Sequence, residues 1–125
     1  MHRSRISTIC IDVPLDRRDE CVQFWSGAVG RESRVGDEFP EYSSLGDLHG
    51  YRLLIQGIGS DDSRVHLDVH TDDAEAEVNR LSELGAHVVQ RYGDWTVMSD
   101  PGGVLFCVVP VDSTDLSLQD ATVWS

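Results

Sequence analysis

Alternating apolar and polar positions predict strands at matching places in the two halves of the chain. Over residues 8–13 the odd-numbered positions are Ile, Ile and Val, and the even-numbered positions are Thr, Cys and Asp. Residues 65–69 repeat this pattern, with Val, Leu and Val alternating with His and Asp. Because successive side chains of a strand point to opposite faces, each segment predicts a strand with one apolar and one polar face. The first strand is expected over residues 5–13.

A helix is predicted after each of these strands. Apolar residues with helical spacing cover about residues 17–29, with Asp16 as the candidate N-cap and Gly30 as the stop. A second apolar stripe begins after Asp72, which forms a capping-box pattern with Glu75, and it ends at Gly85. Asp12 and Asp68 lie on the polar faces of the two strands and close to the helix starts, so they could line a pocket or accept backbone amides, and we favour the second role.

Short strands separated by turn residues follow each helix. They are expected over residues 41–45 and 51–57 with a weaker candidate in 31–40, and again over residues 87–92, 95–99 and 104–109. Asp12 and Asp68 stand in the similar triplets Ile-Asp-Val and Leu-Asp-Val and are 56 residues apart. The 125-residue chain therefore reads as a tandem duplication of a βαβββ unit.

Charge and cysteine content restrict the function classes. The chain has 10 Lys plus Arg against 22 Asp plus Glu, a net charge of −12, and all of its basic residues are arginine. A field of this sign repels phosphate backbones and anionic lipids, so we expect no nucleic-acid and no membrane partner. The three cysteines have no CxxC spacing, and no apolar run suits a signal peptide or a membrane span. A cytoplasmic protein with reduced thiols is expected.

The duplicated pattern resembles the vicinal oxygen chelate superfamily, which includes glyoxalase I, extradiol dioxygenases and bleomycin-resistance proteins. The resemblance covers residues 6–110 and is strongest in Arg64-Val65-His66-Leu67-Asp68-Val69 and in the run from Trp95 to Gly103. It implies an α+β fold in which two tandem βαβββ modules form a curved mixed sheet, or half-barrel, around a cavity, with the helices on the outer face. We expect a domain over residues 1–110, with modules at about 5–57 and 64–110, and a C-terminal tail over 111–125.

The resemblance also implies a set of site residues. The metal-ligand positions of the superfamily fall on Cys10, Gln56, His66 and Cys107. Only His66 is of the usual residue type, and the carboxylates common at the two terminal-strand positions are missing. A hard divalent ion is therefore disfavoured, because one imidazole and one neutral amide supply no negative charge. Cys10, His66 and Cys107 would suit Zn²⁺ as a minority hypothesis, against the alternative that the cysteines only fill the core.

His66 is the candidate catalytic residue, as a general base or a ligand anchor, although an isolated histidine is also compatible with a hydrogen-bonded core residue. Candidate ligand-binding residues share an expected position on the inner strands or aromatic character. They are Cys10, Gln56, Cys107, Asp68, Tyr42 and Trp95.

Two functions follow from the resemblance and stay open at this stage. The first is a protein that binds a small cationic or aromatic ligand without a hard metal, as bleomycin-resistance proteins do. The alternative is a lyase, isomerase or dioxygenase that uses His66 as a base or metal ligand. We expect a small-molecule ligand, more readily no cofactor than a divalent metal, and a homodimer.

Overall fold

A computed structural model of the chain describes residues 1–36 and 40–125. The chain divides into two compact units, one formed by residues 8–66 and the other by residues 1–7 together with residues 67–125. Part of the segment 31–40, where a weak strand is expected, lies outside the described residues.

The order of the elements confirms an α+β fold with two βαβββ modules. The first module consists of β1 (His2–Pro14), α1 (Arg18–Val29), β2 (Arg34–Val35), β3 (Tyr42–Leu48) and β4 (Tyr51–Ile58). The second consists of β5 (Arg64–Thr71), α2 (Ala74–Glu83), β6 (His87–Tyr92), β7 (Trp95–Ser99) and β8 (Leu105–Pro110). The residues after β8 carry a short 3-10 helix (Leu116–Leu118) and β9 (Thr122–Trp124).

In the unit of residues 8–66, the strands lie in the order β2-β3-β4-β1, with β1 parallel to β4 and β3 antiparallel to it. The apolar positions predicted for β1 face a core of Val13, Leu45, Leu53 and Ile55, and helix α1 packs against this core. The opposite face of β1 is consequently left to Thr8, Cys10 and Asp12, all of which are buried.

The start of α1 differs from the prediction. A 3-10 turn (Leu15–Arg17) follows Pro14, and the N-cap of α1 is Arg17, whose side chain makes no capping hydrogen bond. Asp16 lies inside the 3-10 turn, one residue before that position, so it is not the cap. The end agrees with the prediction, since Gly30 has a φ of 73°, the left-handed conformation typical of a helix C-terminus.

The unit of residues 1–7 and 67–125 has the strand order β5-β8-β7-β6, and β9 pairs antiparallel with the first residues of β1. Helix α2 packs on a core of Val78, Met98 and Val108. Its N-cap is Asp73, which accepts from the amide of Ala76, whereas Asp72 accepts from the backbone and side chain of Arg3. The predicted cap at Asp72 is therefore wrong, because a contact distant in sequence occupies its carboxylate.

A buried ionic cluster joins both ends of the chain to α2 within this unit. The carboxylate of Glu77 is inaccessible to solvent and binds His2 Nε2 at 2.8 Å and Arg80 at 2.8 and 2.9 Å. The guanidinium of Arg80 lies 3.7 Å above the ring of Trp124, whose indole nitrogen donates to Ser4. Burial by itself raises the pKa of Glu77, but the hydrogen bonds from Arg80, Ser4 and His2 outweigh this and lower the pKa below its usual value.

Candidate functional site

The polar face of β1 meets the beginning of β5 at a buried carboxylate, that of Asp12. Asp12 is 1% exposed and lies on the same face of β1 as Cys10, which has no exposed surface. Arg64 and His66 are two residues apart on β5 and therefore share a face of that strand. All four residues belong to the unit of residues 8–66.

Two side chains of β5 bind the same oxygen of Asp12. His66 Nδ1 lies 2.6 Å from Asp12 Oδ2, and Arg64 Nε donates to this oxygen at 3.2 Å. Burial alone would raise the pKa of Asp12, but the hydrogen bond and charge of His66, with further hydrogen bonds from Arg64 and Cys10, hold the pKa below its ordinary value. Asp12 is therefore a carboxylate at neutral pH.

An ionised Asp12 determines the role of the imidazole. A carboxylate can only accept hydrogen bonds, so Nδ1 of His66 carries the proton that lies between the two groups. In the neutral ring this tautomer places the acceptor lone pair on Nε2. The pair is thus an Asp–His dyad in which the carboxylate orients the ring and stabilises its protonated form.

Cys10 completes the surroundings of Asp12 as a thiol donor. Its Sγ lies 3.5 Å from Asp12 Oδ1 and 4.0 Å from Oε1 of Gln56. Gln56 is paired in register with Asp12 across the parallel strands β1 and β4 and with Tyr42 across β3 and β4. The structure thus places three predicted site residues, Cys10, Gln56 and His66, around a carboxylate that was not among them.

The superfamily commonly uses divalent metals, and the residues around Asp12 can be tested for a fit. Cys10, Asp12 and His66 each offer one ligand atom within 4.8 Å of the others. However, two ligands of a tetrahedral zinc ion with bonds of about 2.0–2.2 Å lie about 3.3 Å apart. The 2.6 Å between His66 Nδ1 and Asp12 is a hydrogen-bond distance, and the guanidinium of Arg64 contacts the same oxygen. The arrangement therefore does not fit a divalent ion bound jointly by Asp12 and His66 Nδ1.

Three of the remaining predicted site residues, Asp68, Trp95 and Cys107, belong to the other unit of the chain. Asp68 and Cys107 belong to the unit of residues 1–7 and 67–125, where they are paired in register on the parallel strands β5 and β8. Trp95, in the same unit, stacks on Tyr92 with the ring centroids 5.3 Å apart. The predicted zinc set of Cys10, His66 and Cys107 stays a prediction, as do the ligand-binding roles of these residues.

Sequence reasoning missed two residues of the site, Asp12 and Arg64. Asp12 was expected to bind backbone amides at a helix start, whereas it accepts from three side chains: His66, Arg64 and Cys10. The available signal was the alternation of β1, which places Asp12 on the face of Cys10 and not on that of the core. Arg64 has the same relation to His66 on β5.

The comparisons with known proteins agree with this fold. The family model described as a glyoxalase-like domain matches residues 8–109. No curated protein matches the chain. Neither helix of the described residues has the length and apolar character needed to cross a membrane.

Solved structures with a similar fold have low sequence identity. A hypothetical protein from Bacillus halodurans C-125 has 11% identity and a TM-score of 0.65, covering 90% of this chain and 97% of its own. Methylmalonyl-CoA epimerase from Streptomyces coelicolor, in complex with 2-nitronate-propionyl-CoA, has 20% identity and a TM-score of 0.57, covering 88% and 95%. A structure described as NAD-dependent benzaldehyde dehydrogenase from Legionella pneumophila has 13% identity and a TM-score of 0.59, covering 83% and 99%. The chain belongs to the glyoxalase-like domain family of the vicinal oxygen chelate superfamily.

Proposed function

We propose that this protein binds a small oxygenated molecule and moves a proton in it, in a reaction of the isomerase or lyase class, with His66 as the proton acceptor. The observation that carries the proposal is the 2.6 Å contact between His66 Nδ1 and the buried carboxylate of Asp12. A histidine held in one tautomer by a carboxylate is the usual form of a general base. The proton is taken by Nε2, and Asp12 stabilises the imidazolium that results.

The similar structures are compatible with this chemistry. Several of them are described as methylmalonyl-CoA epimerase. Epimerisation at an acidic carbon proceeds by removal and return of a proton, which an Asp–His dyad can perform. At 20% identity the likeness concerns the fold alone, so the geometry of the dyad carries the proposed reaction class.

Proton exchange in D₂O tests the role of His66. Small compounds with a hydrogen next to a carbonyl group, namely 2-oxo acids, hydroxyketones and thioesters, are incubated with the protein, and loss of that hydrogen is followed by NMR. We expect accelerated exchange for at least one class, loss of the acceleration in His66→Gln, and a fall of about 10²–10⁴-fold in Asp12→Asn.

A matched control uses a histidine outside the site. His87→Gln changes an exposed residue of β6 and should leave the exchange rate unchanged. Exchange that persists in His66→Gln, or no acceleration for any of the three classes, contradicts the proposed function.

A second candidate function is ligand binding without chemistry, and a surface cavity favours it. The cavity has a volume of about 360 Å³ and lies where β1 and β4 end, with apolar walls from Pro14, Leu15 and Ile58 and two carboxylates, Asp16 and Asp61. Neither carboxylate has an ion-pair partner among the described residues, which suits a small organic cation. Calorimetric titration with benzyltrimethylammonium tests this second candidate. Binding supports it if the affinity falls in Asp61→Asn and does not change when EDTA is added. Absence of binding contradicts it.

The proposal includes the assembly and the compartment. On the family resemblance the protein is a homodimer, and on its composition and the lack of CxxC spacing it acts in the cytoplasm. Light scattering checks the assembly, since a mass near the 13.9 kDa of one chain contradicts the dimer.

A further inference from the structure

The exposed part of the site around Asp12 is a guanidinium. Asp12 itself is 1% exposed and the His66 side chain is 12% exposed, whereas the Arg64 side chain is 52% exposed. Both oxygens of Asp12 are engaged, Oδ2 by His66 and Arg64 and Oδ1 by the thiol of Cys10. A ligand that approaches this site therefore meets a positive group with a hydrogen-bonding edge, and the carboxylate beneath it is already saturated.

Only one of the nitrogen atoms of Arg64 is committed to Asp12. Nε makes the 3.2 Å hydrogen bond, and Nη1 and Nη2 make no hydrogen bond or ion pair with the described residues. A guanidinium has five N–H groups, and the four on the Nη atoms form a planar fork that matches a carboxylate. The hydrogen bond from Nε to Asp12 already restricts the Arg64 side chain. A ligand that binds the fork therefore causes a smaller loss of side-chain conformational entropy.

The fork lies close to the proton acceptor. Arg64 Nε and His66 Nδ1 contact the same oxygen, at 3.2 and 2.6 Å, so they are within about 6 Å of each other. A carboxylate bound by Arg64 consequently brings its neighbouring carbon atoms near the imidazole.

We propose that Arg64 is the substrate-anchoring residue of this site and that the molecule on which His66 acts is a small carboxylic acid whose carboxylate binds Nη1 and Nη2. This inference rests on the proposed function, and it names the substrate class. At the site around Asp12 the inferred ligand is thus not the cation expected from the net charge of −12, because the direct contact with Arg64 outweighs a distributed field that salt screens within about 10 Å.

The test uses three probes of nearly equal size and different charge: sodium propionate, propionamide and n-propylammonium chloride. Each is titrated to about 100 mM, because ligands of only a few non-hydrogen atoms bind weakly, and binding is followed by the imidazole resonances of His66 in NMR. We expect a saturable shift with propionate and at least about tenfold weaker binding of the other two probes.

Variants then assign the contact to Arg64. Arg64→Gln should weaken propionate binding about tenfold or more, and Arg64→Lys, which keeps the charge and loses the planar fork, should have an intermediate effect. The matched control is Arg91→Gln, which removes the same charge from an exposed position of β6 and should leave the affinity within about twofold. Circular dichroism checks that each variant is folded.

The outcomes separate this inference from the proposed function. Equal propionate binding in the wild type and in Arg64→Gln, tighter binding of n-propylammonium, or no saturable shift with propionate overturns the inference, whatever the exchange experiment shows. Propionate binding that depends on Arg64, together with no dependence of proton exchange on His66, leaves the carboxylate site standing and overturns the proposed chemistry.

Discussion

Replacing Glu77 by Gln tests whether the buried ionic cluster stabilises the unit formed by residues 1–7 and 67–125. The substitution keeps the shape and removes the charge, so the side chains of His2 and Arg80, 9% and 24% exposed, lose their anionic acceptor. Breaking a fully buried ion pair costs about 3–5 kcal/mol. Because Arg80 retains some contact with water, we expect the free energy of unfolding to fall by about 2–3 kcal/mol at neutral pH.

The effect should depend on pH with a defined sign. The pKa of Glu77 is lowered from its ordinary value of 4.5 by folding, so its contribution is complete above that value and is lost as the pH falls through the lower pKa of the folded state. The difference in stability between the wild type and Glu77→Gln should therefore shrink on acidification. The pKa values of Asp12 and Asp72 are also lowered, and they make the stability of both proteins depend on pH. Because both residues are present in the wild type and in Glu77→Gln, their contributions cancel in the difference.

Urea unfolding followed by far-UV circular dichroism measures both quantities. Glu83→Gln is the control, since it changes an exposed residue of the same helix and should alter the stability by less than about 0.5 kcal/mol. A loss in Glu77→Gln no larger than that of the control, or a difference that stays constant from neutral pH to about pH 3, would refute the reasoning.

Further predictions concern packing and metal content. In Gly57→Ala the new Cβ would lie 2.7 Å from Cδ1 of the exposed Leu15 and 3.0 Å from Cδ of Arg18, which is held by a hydrogen bond to Ser43, so we expect a loss of about 1 kcal/mol in urea unfolding. Gly59→Ala, with nothing within 4 Å, should lose less than about 0.5 kcal/mol. Equal losses in the two variants would contradict the close approach. Protein purified without chelators should contain well below one zinc per chain by mass spectrometry, because the geometry at Asp12 is that of a hydrogen-bonded network. A full equivalent of zinc that disappears in Cys107→Ala would support the zinc site and contradict this expectation.

Much of the fold follows from local patterns in the sequence. The alternation of apolar residues, the glycine at position 30 and the repeat of the Ile-Asp-Val triplet are contained in short windows, and they predict both modules. The errors concern carboxylates whose partners are distant. Asp72 binds Arg3, which is 69 residues away, and this contact removes it from the helix cap that its neighbours predict.

The candidate site likewise depends on a contact between residues that are distant in sequence. Cys10, Gln56 and His66 could be selected as residues of one face by alternation and by the family resemblance. The dyad itself depends on a contact across 54 residues, and no local pattern distinguishes a carboxylate that binds backbone amides from one that binds an imidazole. Both arrangements satisfy a buried acceptor, so the side-chain geometry decides between them.

The two duplicated strands, β1 and β5, carry different residues at the position of His66. The position in β1 that corresponds to His66 is Cys10, and this thiol donates to Asp12 where an imidazole in the same place would offer a second base. One buried carboxylate thus receives hydrogen bonds from three different groups: an imidazole, a guanidinium and a thiol. His66 is the imidazole among these three donors, and proton acceptance is the role proposed for it. Replacing Cys10 by Ser, which keeps a donor of similar size, should therefore leave proton exchange within about tenfold of the wild type, whereas Asp12→Asn should not.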